Sequence, residues 1–260
     1  MTAALRIAAR SAWVNFQEVA VSGFLLFAVV WQPLFVGVTT MYMLRHRADF
    51  DPMYVVVGTA LSGIWSTLLF AGSGAISHER WTGTLELLAA SPASFFVVIG
   101  GKLAGTTIFS LGSLVLAFGI GAVLFGYPVK IAEPGLLALS LVFAAVALWA
   151  TGVFFAPLAI LWRTVGVFLL VFEYPVFALS GFLFPVLLLP NWIVPITNLL
   201  PPYWAAVAMH GAASGDLDTP GLIRAWFFLF LTGGVLLFIA HRLFDEVLTR
   251  ARRAGTLALS

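Results

Sequence analysis

No cysteine occurs in the 260 residues, which excludes disulfides and thiolate metal sites. Charge is almost as scarce. Only 9% of residues are Asp, Glu, Lys or Arg, against about a quarter in soluble domains. A chain this poor in charge has no stretch from which to build a separate soluble domain. The four histidines, His46, His78, His210 and His241, are scattered, with no His-x-x-x-His pair and no clustered acids at ligand spacing. Gly100-Gly101-Lys102 lacks the upstream glycine spacing, the following Ser or Thr and the preceding strand of a phosphate loop, so nucleotide binding there is excluded. Tandem repeats and low-complexity tracts are missing as well.

What is present is apolar. Hydrophobic residues make up 62% of the chain, with 24 Phe and 9 Trp, and the mean hydropathy is +1.06. Apolar runs of about 20 residues are needed to cross a bilayer core as helices, and six read that way. They are approximately Val21 to Met43, Met53 to Ile76, Leu103 to Phe125, Gly135 to Leu161, Val165 to Leu188 and Gly221 to Leu243. Ser91-Pro92 is a good helix start, so the third helix is expected to begin before its apolar run. The first run is longer than a signal-peptide core and lacks a cleavage pattern, and it reads as retained.

The positive-inside rule orients these spans. With the N-terminus inside, Arg6, Arg10, Arg80, Lys102, Arg163, Arg242, Arg250, Arg252 and Arg253 fall on the cytoplasmic side, against Arg45, Arg47, Lys130 and Arg224 outside. Nine against four places both termini in the cytoplasm. Residues 1–20 mix Leu5, Ile7, Trp13, Val14 and Phe16 with Arg6, Arg10, Gln17 and Glu18, which suits an interfacial helix; the plainer reading is a cytoplasmic lead-in. Residues 187–214 are apolar but carry Pro190, Pro195, Pro201, Pro202, Asn191 and Asn198, which would leave backbone groups unsatisfied in a straight lipid-exposed helix. A seventh span would also reverse the C-terminal arginines, so this segment reads as re-entrant or interfacial on the outer side.

Several features carry chemistry. Ser77 to Leu88, within a polar connector at 77–91, has a polar side given by Glu79, Arg80 and Glu86, with Trp81, Leu85 and Leu88 forming one apolar stripe if the segment is helical. Gly83 permits a break within it. From residues alone it is either a docking segment for a soluble partner or a loop resting on the bilayer. Glu173 lies deep in the fifth span beside Tyr174 and Pro175. It lines either a polar, kinked path or dimer interface, or is a structural carboxylate bonded to a neighbouring helix. Gln32-Pro33 breaks the first span. Gly105, Gly112, Gly119 and Gly126 recur every seven residues and predict a helix-packing stripe. An intramembrane hydrolase finds no positive motif. Its nearest approach, Ala71-Gly72-Ser73-Gly74, lacks the first glycine.

The order Glu79-Arg80-x-x-Gly83-Thr84-Leu85-Glu86, followed by Leu87-Leu88-Ala89-Ala90-Ser91-Pro92, resembles the cytoplasmic coupling segment of type-2 ABC exporter permeases. Leu179-Ser180-Gly181-Phe182-Leu183-Phe184-Pro185 is similar to the Leu-Ser-Gly-x-x-Phe-Pro signature of the same family. The resemblance covers the whole chain in outline. It implies one all-α integral membrane domain, 1–260, with six transmembrane helices, an N-terminal interfacial helix, a cytoplasmic coupling helix and outer re-entrant helices. It also implies a non-enzymatic transport subunit in the cell membrane, moving an apolar or amphipathic substrate such as a drug-like molecule or lipid. Glu79, Arg80, Trp81, Thr82, Gly83, Thr84, Leu85, Glu86 and Leu88 would meet a separate ABC ATPase that holds ATP and Mg. This chain would bind no cofactor or metal itself, and a second permease copy or a related permease would complete the path. A membrane scaffold or a polysaccharide exporter are the alternatives.

Overall fold

A computed structural model of the chain describes residues 3–46, 51–84, 88, 93–127, 130–162, 165–186 and 189–254. Among them every regular element is helical. Lipid offers no partner to a backbone N–H or C=O, and helices satisfy these groups within one segment. The helices are α1 (Ala3–Val21), α2 (Gly23–Leu26), α3 (Gln32–Leu44), α4 (Pro52–Trp81), α5 (Phe95–Ser110), α6 (Gly112–Gly119), α7 (Pro134–Leu161), α8 (Val165–Leu179), α9 (Val194–Thr197), α10 (Pro201–Ser214) and α11 (Thr219–Ala254). A π-helical turn, Phe27–Trp31, joins α2 to α3, and another, Ile120–Leu124, follows α6.

Helix ends follow local chemistry. Asp51 caps α4, its Oδ1 accepting the Met53 N–H at 2.9 Å, with Pro52 in the first turn, where no intrahelical donor is lost. Prolines also open α7 and α10. Gly215, at φ +76°, closes α10.

Among the described residues five helical stretches are long and apolar enough to cross a membrane: Phe27–Leu44, Pro52–Trp81, Phe95–Leu124, Pro134–Ala159 and Thr219–Val247. They fit a multi-pass membrane protein and coincide with five of the six expected spans. The remaining one differs. In place of a continuous helix to Leu188, α8 stops at Leu179, and the chain turns through Ser180 and Gly181, the latter at φ +70°. At 15 residues, α8 is about 22 Å long, short of a bilayer core of about 30 Å. The expected outer segment forms α9 and α10, and α10 is buried against α4, α7 and α11.

α4 is the core. Of its span window 94% is buried, against 22% for Thr219–Val247, which packs by one face only. It contacts α3, α5, α6, α7, α8 and α10. Small residues allow this crowding. A Cβ on Gly58 would overlap the Phe182 carbonyl, and one on Gly72 would stand 2.5 Å from the Gly152 carbonyl. The buried hydroxyls of Ser62, Ser66 and Thr67 donate to the carbonyls of Thr59, Ser62 and Gly63, so they do not need partners on other helices.

Pairwise packing also fixes chain direction. At one end of the bundle the Tyr54 and His210 rings stack at 3.7 Å, and the Ala132 N–H donates to the Ala213 carbonyl at 3.0 Å. α7 leaves that end alongside α4. α11 leaves it alongside α7, with the Trp226 indole donating to Ser140 Oγ at 3.0 Å and Gly233 meeting Ala147 a further two turns on. α11 then reaches the other end, where Phe244 lies against Phe95 and Phe96. α1 starts at that same end, with Gly101 of α5 against the Ala8 backbone and Gly105 against Ala12.

Candidate functional site at the Trp81 end of α4

α4 unwinds at Thr82 and Gly83, the latter at φ +71°, a left-handed conformation that favours glycine. The turn is fastened by Glu79, which is only 5% exposed. Its carboxylate accepts from Lys102 Nζ of α5 and from the Thr84 hydroxyl. The Thr84 N–H donates to the Glu79 carbonyl at 3.0 Å, and the Thr82 hydroxyl donates to the His78 carbonyl at the same distance. A carboxylate taken out of water is tolerable only when paired and hydrogen-bonded, and Glu79 meets both conditions. The ion pair therefore ties the end of α4 to the first turns of α5.

Trp81 is different. It is 87% exposed at the tip of α4, the most exposed of the large apolar side chains described. Arg80 is half-buried beside it, while Leu85 and Glu86 lie outside the described residues. Leu88 packs against the main core, with its N–H donating to the Thr84 carbonyl at 3.0 Å. Trp81 and Leu88 consequently do not share one exposed helical stripe, because the turn at Gly83 intervenes. Of the nominated coupling residues that are described, Glu79 and Thr84 act as internal fasteners, while Trp81, Thr82 and Gly83 are exposed and Trp81 is the large apolar side chain among them.

Beside this turn lies a cavity of about 650 Å³ between α1, α4 and α5. α1 lies along α5 but leaves a gap towards α4. Gly74 on α4 faces open space, with nothing within 4 Å of a Cβ built there. Asn15 accepts from the Thr106 hydroxyl at 2.7 Å and closes the α1–α5 side.

The other nominated residues separate. Glu173 is buried and accepts from Gln32 Nε2, whereas Tyr174 is exposed with its ring edge on Phe177 at 5.7 Å, and Pro175 is exposed. Glu173 thus joins α8 to the first residue of α3, immediately after the π turn and before Pro33. The glycine stripe also divides. Gly105 receives α1, Gly112 has Val29 at 3.8 Å, and among the described residues nothing stands within 4 Å of a Cβ at Gly119 or Gly126. The break at Leu111, the π turn and the left-handed Gly126 remove the regular helix that a seven-residue repeat requires.

Sequence reasoning missed two partners. Lys102 counted towards topology and in the rejected phosphate loop, and Gln32 only as the neighbour of a proline. Both were discoverable, since an ionisable or amide group within an apolar run needs a partner and each run holds few. Among the described residues no group of three or more His, Asp or Glu stands at metal-binding spacing. Comparison of the chain with protein-family models and with curated proteins finds no match.

Proposed function

We propose that this chain is the membrane-spanning permease subunit of an ATP-driven exporter, receiving its energy at the Trp81 end of α4 and moving an apolar or amphipathic substrate out of the cytoplasm or inner leaflet. The observation that carries this reading is the mechanical position of the turn. It terminates the helix that packs against most of the bundle, and the Glu79–Lys102 pair locks it to α5. A displacement at Trp81 is thereby delivered to α4 and α5 together and onward to the helices around them. A loop lying on the bilayer needs no buried ion pair behind it.

In this reading the Trp81 end is cytoplasmic, and Trp81 inserts into a groove on a separate ATPase that holds ATP and Mg. The packing of α1 and α11 at one end of the bundle supports an even number of crossings, with α8 and the chain after it making the sixth. The buried α10 supports a re-entrant segment at the outer end. A second permease copy, or a related one, completes the path. ATP closure of the partner shifts the bundle between two arrangements only if the partner contacts this turn differently in each.

The test is Trp81→Ala in the reconstituted complex with its ATPase. Because Trp81 is exposed, insertion and folding are expected to be unchanged, while transport and stimulated ATP hydrolysis fall by about tenfold, the loss of one anchor side chain. Full coupling in the variant, or persistent isolation of the chain without any nucleotide-hydrolysing partner, contradicts the proposal. The second outcome favours a membrane scaffold.

A further inference from the structure

We infer that the cavity between α1, α4 and α5 is a binding site for an amphiphile with an ammonium head and one alkyl chain. This inference stands independently of any ATPase. At about 650 Å³ the cavity falls inside the range of about 300–1,000 Å³ typical of small-molecule sites. Its walls divide by chemistry. Val19, Val21, Leu25, Phe70 and Leu103 offer an apolar lining for a chain. The polar groups are Asn15, Glu18, Ser22, Ser77, His78, Lys102 and Thr106, and their existing bonds decide what remains for a ligand.

Lys102 is spent on Glu79, and Thr106 on Asn15. The Glu18 carboxylate has no hydrogen bond or ion pair among the described residues. The formal charge left over at the cavity wall is thus negative, on the exposed Glu18. Trp81 lines the same space with an exposed indole, and an indole face attracts an ammonium group. A carboxylate and an indole together select a cationic head over an anionic or neutral one. Entry is available at the gap between α1 and α4, where Ser22 breaks the helix between α1 and α2. Gly74 keeps the interior open, because a larger side chain at that position would point into unoccupied space.

The probe is radiolabelled hexadecyltrimethylammonium, bound to the purified chain in maltoside micelles, whose heads are uncharged. One saturable site per chain is expected, with hexadecyl sulfate and hexadecanol failing to compete. Glu18→Gln should weaken binding by about tenfold or more, as removal of a charged contact does. Gly74→Phe should abolish it, and Gly74→Leu is a smaller plug that serves if the phenylalanine variant fails to fold. Glu133→Gln, an exposed carboxylate near the opposite end, should change nothing. Displacement by lysophosphatidylcholine would identify a membrane lipid as the source of this chemistry, and displacement only by simple cationic amphiphiles would identify a solute; both are consistent with the site. Equal binding of the sulfate and the ammonium, or unchanged binding in both Glu18→Gln and a folded Gly74 variant, overturns it.

Discussion

The two ends of α4 carry the same small residue to opposite effect. At the Tyr54 end, Gly58 lies against the Phe182 carbonyl so closely that no side chain fits, and Tyr54 donates to the Gly181 carbonyl at 2.7 Å. At the Trp81 end, Gly74 faces a cavity and the left-handed Gly83 turns the chain out of the helix. One end is held by close contact of two backbones at Gly58, whereas the other is fastened by the buried Glu79–Lys102 ion pair beside a cavity of about 650 Å³. Packed cores do not deform continuously, so a push at the loose end moves α4 as a unit or repacks its neighbours. This contrast is why a permease reading places energy input and amphiphile access at the Trp81 end.

The contrast can be broken by substitution, with effects in descending order. Gly58→Ala should be the most damaging, costing about 3 kcal/mol or more, because the obstacle is backbone and not a movable side chain. The check is loss of the folded, monodisperse species on heating in detergent. Glu79→Ala should cost about 2 kcal/mol in the same assay, below the roughly 3–5 kcal/mol of a fully buried pair, since the Lys102 side chain keeps 16% of its exposure. Adding Lys102→Met should recover much of that loss; no recovery would show that Thr84 and the turn, and not the ion pair, hold this end.

Gln32→Leu should cost about 1–2 kcal/mol, leaving the Glu173 carboxylate without its amide donor. A gain in stability would instead mean that the pair is strained. The smallest effect belongs to Gly74→Ala, expected to be neutral or to raise helix stability by up to about 1 kcal/mol, since its methyl meets nothing and alanine is the better helix former. A large loss there would show that the void is occupied in the folded chain.

Much of the architecture was readable from composition and pattern. Long apolar runs starting near Met53, Gly135 and Gly221 marked helices, because lipid leaves the backbone no alternative, and the structure starts those helices at Pro52, Pro134 and Thr219. The end of α8 was not readable from its apolar run. Phe182, Leu183 and Phe184 continue the hydrophobicity past Leu179, and the turn rests on the left-handed Gly181 together with the fit of the Phe182 carbonyl against Gly58. The site was legible in position but not in roles. The charges of the connector suggested a polar surface, yet Glu79 is drawn inward by Lys102, 23 residues away, a pairing that helical spacing along one segment cannot disclose. The glycine repeat was legible as packing at Gly105, which receives α1, while the irregularities at Leu111 and in the π turn take Gly119 and Gly126 off one regular stripe.

The most direct measurement puts a photo-crosslinking amino acid at position 81 of the chain in its native membrane, where Trp81 is exposed. Irradiation is predicted to join this residue to a chain that carries a nucleotide-hydrolysing domain, with a yield that changes when ATP is trapped unhydrolysed. Adducts with lipid alone, or a protein adduct that lacks such a domain, would contradict the assignment of the Trp81 end as the point of energy input.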